Sequence, residues 1–192
     1  MMAMNNALLL LELTESQIEE IYHNHMIHDF PDTERKPLSM ILKALREGRY
    51  ECYGAEIDGE LYGYAFFVKC APDYLLDYFA VFPEMRCKGM GSLFLKRLAE
   101  HFKNKTVIIE VENPEFAENE DERAIRLRRI SFYLRNGCRD SGVKAKLFKV
   151  EYKLLLISDE EHIDREEVKK IYLNIYRNVL PKLLYRTMMK IH

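Results

Sequence analysis

Apolar residues recur along this chain with a period near two in some stretches and near 3.6 in others, and the switches between them outline its elements. Ala7–Leu13 reads as a short strand. Thr14 and Gln17 then have the spacing of a helix capping box, so a helix should follow, with Ile18, Ile21, Tyr22 and His25 on one face and a stop at Asp29-Phe30-Pro31. A second helix is expected from Pro37, burying Leu38, Ile41, Leu42 and Leu45 and closing at Gly48. Tyr50–Ile57 and Glu60–Val68 are rich in aromatic and branched residues, and Asp58-Gly59 between them predicts a two-residue hairpin. Tyr74–Val81 continues as a strand until Pro83, and a helix is expected from Gly89 to Phe102. A strand at Thr106–Val111, a helix from Asp121 to Asn136 closed by Gly137, and one long strand over Lys144–Ile157 complete the pattern.

A hairpin ahead of two strand-then-helix units predicts a mixed α/β (α+β) fold, a central mixed sheet flanked by helices. Beyond Ser158 the chain turns polar and then offers an apolar stripe of Val168, Ile171, Tyr172, Ile175, Val179 and Leu180, with Pro181 expected to kink or split that helix. We therefore expect one domain over residues 1–157 and a helical extension over 158–192, its stripe packed on the domain or offered to a second copy.

With 192 residues the chain has room for one substantial core, and 48% hydrophobic with 31% charged residues is a globular rather than a disordered composition. A net charge of −2 gives no field to hold a nucleic-acid backbone. The four cysteines are scattered without a CxxC pair, so reduced thiols in the cytoplasm are expected rather than disulfides or zinc. His23, His25 and His28 are too irregularly spaced to argue a metal site, and no metal is expected. The opening residues 1–6 carry no Lys or Arg and Ala7–Leu11 is too short to span a membrane, so neither export nor a membrane partner is expected.

The chemistry concentrates in Val81-Phe82-Pro83-Glu84-Met85-Arg86-Cys87-Lys88-Gly89-Met90-Gly91-Ser92, between a strand and an amphipathic helix. A turn with Gly89 and Gly91 can aim successive backbone N–H groups into one concavity, and the following helix adds the positive end of its dipole. That suits an anion, most naturally a diphosphate, with Arg86 and Lys88 adding positive charge at the rim. The third glycine of a dinucleotide fingerprint and the Gly-Lys-Ser/Thr ending of a Walker loop are both missing.

Arg86-x-x-Gly89-x-Gly91, preceded by Val81-x-Pro83, resembles the acetyl-CoA pyrophosphate loop of the GNAT acetyltransferases. Arg129-Ile130-Ser131-Phe132-Tyr133-Leu134-Arg135-Asn136-Gly137-Cys138 is similar to that family's later motif, although Arg126 stands where an Asn is usual and Cys138 replaces the common Phe. The resemblance covers roughly residues 60 to 138. It implies a GNAT fold with an extra C-terminal helix and direct transfer of an acetyl group from acetyl-CoA, as co-substrate, to a primary amine of a small molecule, an amino sugar or a peptide. It further implies that the N–H of Phe79 meets the acetyl oxygen, that Ala80 and Val81 accompany the pantetheine arm, and that Tyr133 gives a proton to the leaving thiolate. An alkylamine has a pKa of about 10.4 and must lose a proton before attack, for which Glu110, Glu112 and Asp77 are the candidate bases. Seven of the thirteen residues from Glu110 to Glu122 are acidic, either a solvated loop with capping acids or a mouth that attracts a cationic amine. The competing function is a non-catalytic acetyl-CoA or CoA sensor on the same fold.

Overall fold

A computed structural model describes residues 8–32, 34–160, 163–179 and 189–192. Among them the strands are β1 (Leu9–Glu12), β2 (Tyr50–Ile57), β3 (Glu60–Cys70), β4 (Asp73–Val81), β5 (Val107–Glu112), β6 (Arg139–Leu147), β7 (Val150–Ile157) and β8 (Met189–Ile191). The helices are α1 (Glu15–Ile21), α2 (Ile27–Asp29), α3 (Leu38–Arg46), α4 (Met90–His101), α5 (Glu120–Arg135) and α6 (Arg165–Val179). The strands hydrogen-bond in the order β1-β2-β3-β4-β5-β7-β6-β8, and the pairing is mostly antiparallel, β4 with β5 being a parallel pair.

The chain divides into two compact units. The first comprises residues up to Lys69 with Asp77–Glu100. Its entrance follows the expected chemistry: the Thr14 hydroxyl accepts from the Gln17 N–H at 3.3 Å while the Gln17 amide oxygen accepts from the Thr14 N–H at 3.0 Å. Helix α1 then widens into a π turn over Tyr22–Met26 before the short α2. A hydrophobic period near 3.6 cannot distinguish that widening from a regular helix, and π turns favour functional sites. Asp58 (φ 56°) and Gly59 (φ 85°) both take the left-handed conformation, as the tight turn between right-twisted strands requires. The core of this unit is aromatic: Tyr64, Phe66, Phe67 and Phe94 are fully buried.

The second unit comprises Cys70–Leu76 and His101 onward. Val107, Ile108 and Ile109 of β5 pair with Tyr74, Leu75 and Leu76 on one side and with Ile157, Leu156 and Leu155 of β7 on the other, and all of these are buried. A strand covered on both faces reads as a continuous apolar run, which is how this segment appears. The single long strand expected over Lys144–Ile157 is instead the hairpin β6–β7, turning at Phe148-Lys149 with Phe148 at φ 54°. An aromatic residue in the left-handed region gives no turn signal, which hid the reversal. Strand β8 pairs with β6 and was not expected. Val168, Tyr172, Ile175 and Tyr176 of α6 are buried, while Leu180 and Pro181 lie outside the described residues.

Candidate functional site

In the first unit, β4 ends at Val81 and the chain passes through a 3-10 turn at Pro83–Met85 and a tight turn at residues 86–89 into α4. Gly89 is the residue that opens α4, its carbonyl accepting the first helical hydrogen bond from the Leu93 N–H at 3.1 Å. Its φ of 79° is a conformation that strains any residue with a Cβ, and Cys87 accepts that strain at φ 63°. Two left-handed residues two positions apart fold this segment back on itself at the start of a twelve-residue helix, whose first N–H groups have no intrahelical acceptors. Cys87, Lys88 and Gly89 are exposed, and Met90, Gly91 and Ser92 half-buried.

Arg86, expected only as rim charge, also builds the turn. Its Nε donates to the Val81 carbonyl at 2.9 Å and its terminal nitrogen pairs with Asp29 at 2.5 Å, fastening the turn to the exit of β4 and to α2. Asp29 is held from a second side by the Tyr64 hydroxyl at 3.0 Å, and His25 of the π turn stacks flat on Phe82 with ring centroids 3.6 Å apart. Gly63 on β3 lets β4 approach closely, since a Cβ there would lie 2.6 Å from the Ala80 carbonyl oxygen. Phe79 lies against Phe94 of α4, centroids 5.3 Å apart, which ties the end of β4 to the helix behind the turn. Asp77 receives the Lys36 ammonium on both carboxylate oxygens at 2.6 Å together with the Tyr50 hydroxyl, and the Lys36 N–H donates to the Tyr78 hydroxyl at 2.8 Å. Asp29, Lys36, Tyr50 and Tyr64 carry no motif, so sequence reasoning did not select them.

In the second unit Glu110 and Glu112 share a face of β5 by strand alternation but meet different partners. Glu110 accepts hydrogen bonds from the hydroxyls of Tyr172 and Tyr176 on α6. Glu112 faces the guanidiniums of Arg126 at 3.1 Å and Arg129 at 3.5 Å. Arg126, the residue at the usual Asn position of the motif, is 8% exposed and also donates to the Asn113 carbonyl at 2.9 Å and pairs with Glu122 at 2.7 Å. It thus binds strand, loop and helix through one side chain, while its Nε–H finds no acceptor among the described residues. Removing one partner of a buried ion pair strands the others, so Arg126→Ala should lower stability by about 3 kcal/mol, the low end of the usual range because the carboxylates are part-exposed. That corresponds to a fall in Tm of roughly 6 to 12 °C by calorimetry; an unchanged Tm would make this network a passive decoration.

The acidic stretch is largely committed: beside Glu112 and Glu122, Glu115 pairs with Lys144 at 2.8 Å, which holds its carboxyl below the usual range. Asn119 caps α5, its side chain accepting the Glu122 N–H at 2.9 Å, and three acids occupy the first turn. Tyr133 lies in the last part of α5, buried, one helical turn after Arg129. Burial pushes its phenol well above the ordinary range, with the nearby Arg129 pulling the other way. Cys138 follows under the helix end, buried, its thiol pushed up to about 12 by desolvation. Among the described residues no group of three or more His, Cys, Asp and Glu side chains is placed to hold a metal ion, and no helix is long and apolar enough to cross a membrane.

A sequence model described as the acetyltransferase (GNAT) family matches residues 11–132. Comparison with curated proteins finds no match. Among solved structures, a protein assigned to the GNAT acetyltransferases from Bacteroides thetaiotaomicron superposes with a TM-score of 0.72 at 22% identity, over 89% of this chain and 97% of that one. The ribosomal-protein-S18-alanine N-acetyltransferase of Escherichia coli gives a TM-score of 0.57 at 17% identity over 81% of this chain and 98% of that one. The yncA protein of Salmonella typhimurium, solved with acetyl-CoA, gives 0.54 at 17% identity over 81% and 96%. At such identities these likenesses speak for the fold.

Proposed function

Since the chain belongs to the acetyltransferase (GNAT) family, we propose that it transfers the acetyl group of acetyl-CoA to a primary amine by direct attack in a ternary complex. The observation that carries this reading is the turn at residues 86–89, built from left-handed Cys87 and Gly89 at the head of α4 and latched to β4 by Arg86. Its fit to a diphosphate is physical: exposed main-chain amides, a helix N-terminus and the exposed Lys88 all favour an anion. With Arg86 engaged by Val81 and Asp29, the amides and Lys88 supply most of the grip.

The N–H of Phe79 stabilises the charge that develops on the acetyl oxygen, and the polar backbone of Ala80 and Val81 pairs with the pantetheine arm as an added strand would. Asp77 pairs with Lys36 and Glu112 with Arg126 and Arg129, and we assign to the amine Glu110, whose carboxylate two tyrosine hydroxyls orient. One ammonium proton passes to Glu110 and on to water; the nitrogen attacks the thioester carbon, the N–C bond forms and the C–S bond breaks. The second amine proton leaves to water as the amide forms, and the departing sulfur takes one proton from water, so that the ammonium and acetyl-CoA yield the amide, free thiol and one released proton. Tyr133 keeps its proton throughout the working range because burial raises its pKa, which suits a donor that stabilises the departing thiolate. The acceptor we propose is a cationic amine, consistent with the acids Glu118, Glu120 and Asp121 exposed at the head of α5.

Two measurements test the reading. Acetyl-CoA should protect Cys87, exposed in the turn, from alkylation by N-ethylmaleimide, whereas the buried Cys52 and Cys138 stay unlabelled until the protein unfolds. Release of free coenzyme A on a panel of amines then separates a catalyst from a sensor. Undiminished alkylation of Cys87 at saturating acetyl-CoA would refute the cradle, and protection without release on any amine would refute catalysis.

A further inference from the structure

Glu110 stands between Ile109 and Val111, each 1% exposed, so its half-buried carboxylate needs donors from the protein. They come from outside the family-matched residues 11–132, from α6. Tyr172 and Tyr176, four residues apart on one helical face, are 0% and 6% exposed, with their rings edge to face at 4.9 Å. Both hydroxyls donate to the same oxygen, Glu110 Oε1, that of Tyr176 at 2.7 Å. A glutamate has three side-chain torsions to fix, and two convergent donors on stiff aromatic arms fix the carboxylate before any substrate arrives. The helix itself is set from a second side: Asn174 and Asn178 each reach the Cys70 sulfur at 3.2 Å. Val168 and Ile175 are buried beneath it. Desolvation, reinforced by Glu110, raises the Tyr172 phenol well above its ordinary range, so it remains a donor at every assay pH.

We propose that Tyr172 and Tyr176 are positioning residues for acetyl transfer, through which the C-terminal helix α6 holds Glu110 in place to take the amine proton. The inference rests on the assignment of Glu110 as that proton acceptor. A base is needed for an alkylamine, which is protonated at neutral pH, and is not needed for an amine already neutral there. The pair of acceptors therefore separates positioning of a base from general support of the fold.

The experiment measures kcat and KM for Tyr172→Phe, Tyr176→Phe, the double variant and Glu110→Gln, with butylamine and with O-methylhydroxylamine as acceptors. The double variant should lose about 10- to 100-fold in kcat on butylamine, the usual cost of removing supports behind a reacting group. Its KM for acetyl-CoA and its kcat on O-methylhydroxylamine should stay within about threefold of the parent. The single variants should show the same selective loss to a smaller degree, and they carry the test if the double variant melts below the assay temperature. Equal losses on both amines would mean that the tyrosines only support the fold, and full activity on butylamine would mean that they support nothing the reaction uses; either result overturns the proposal. Glu110→Gln keeps the two failures apart. Parent-like turnover of butylamine by that variant removes the underlying assignment, whereas a slow Glu110→Gln beside fast tyrosine variants removes the positioning role alone.

Discussion

Tyr133→Phe should lower kcat by about 10²- to 10⁴-fold, the range for losing a general acid or an equivalent donor at the leaving group, with the KM for acetyl-CoA almost unchanged. The substitution removes one oxygen from a ring that is already buried, so packing is preserved and little stability should be lost. The raised phenol pKa sharpens the expectation. A thiol of pKa about 8.5 is a better acid than even an unperturbed tyrosine near 10, so under the proposed mechanism full proton transfer from Tyr133 is uphill and its expected service is a hydrogen bond to sulfur as charge develops there. Steady-state kinetics at matched acetyl-CoA saturation decide the matter: turnover within twofold of the parent would take Tyr133 out of the chemistry.

Gly89→Val should abolish detectable acetyl-CoA binding. At φ 79° a Cβ costs about 1 to 2 kcal/mol, and a β-branched one more, because the left-handed region brings it against its own backbone. The space around Gly89 is open, with nothing within 4 Å of an added Cβ, so the damage is conformational: the turn relaxes and its amides no longer converge. Stability of the free protein falls modestly, but ligand-dependent stabilisation vanishes. At a concentration of 100 Kd acetyl-CoA should stabilise the parent by about 2.7 kcal/mol in a thermal-shift titration and Gly89→Val not at all. A variant stabilised as strongly as the parent would place the diphosphate elsewhere.

Much of the fold was legible wherever a local rule decides the structure. The Thr14–Gln17 capping box and the Asp58-Gly59 turn formed as read, and the α4 and α5 boundaries fell within a few residues of expectation. What escaped was decided by tertiary contacts. Phe148 turns a hairpin without a turn residue, and Met189–Ile191 is too short to show a period yet finds β6 as a partner. At the candidate site, the motif picked out the turn, because Gly89 is demanded by its backbone angle and the spacing is local. Which carboxylate meets which partner was not legible, since Glu110 and Glu112 look alike on one strand face and are distinguished by residues up to 66 positions away in Tyr172 and Tyr176. Tyr172 sat within an apolar stripe, where a ring is indistinguishable from core until its hydroxyl has something to reach, and Tyr176 was not singled out at all.

The outermost strands in hydrogen-bond order are β1 and β8, four and three residues long. A long bare strand rim is a template for another chain, and short terminal strands blunt it. Strand β8 covers Ala145, Lys146 and Leu147 of β6, so trimming the last few residues would bare a run of backbone donors and acceptors on a nine-residue strand. Strand β8 thereby occupies part of an edge that another chain's backbone could otherwise pair with, a contribution to solubility that is separate from catalysis.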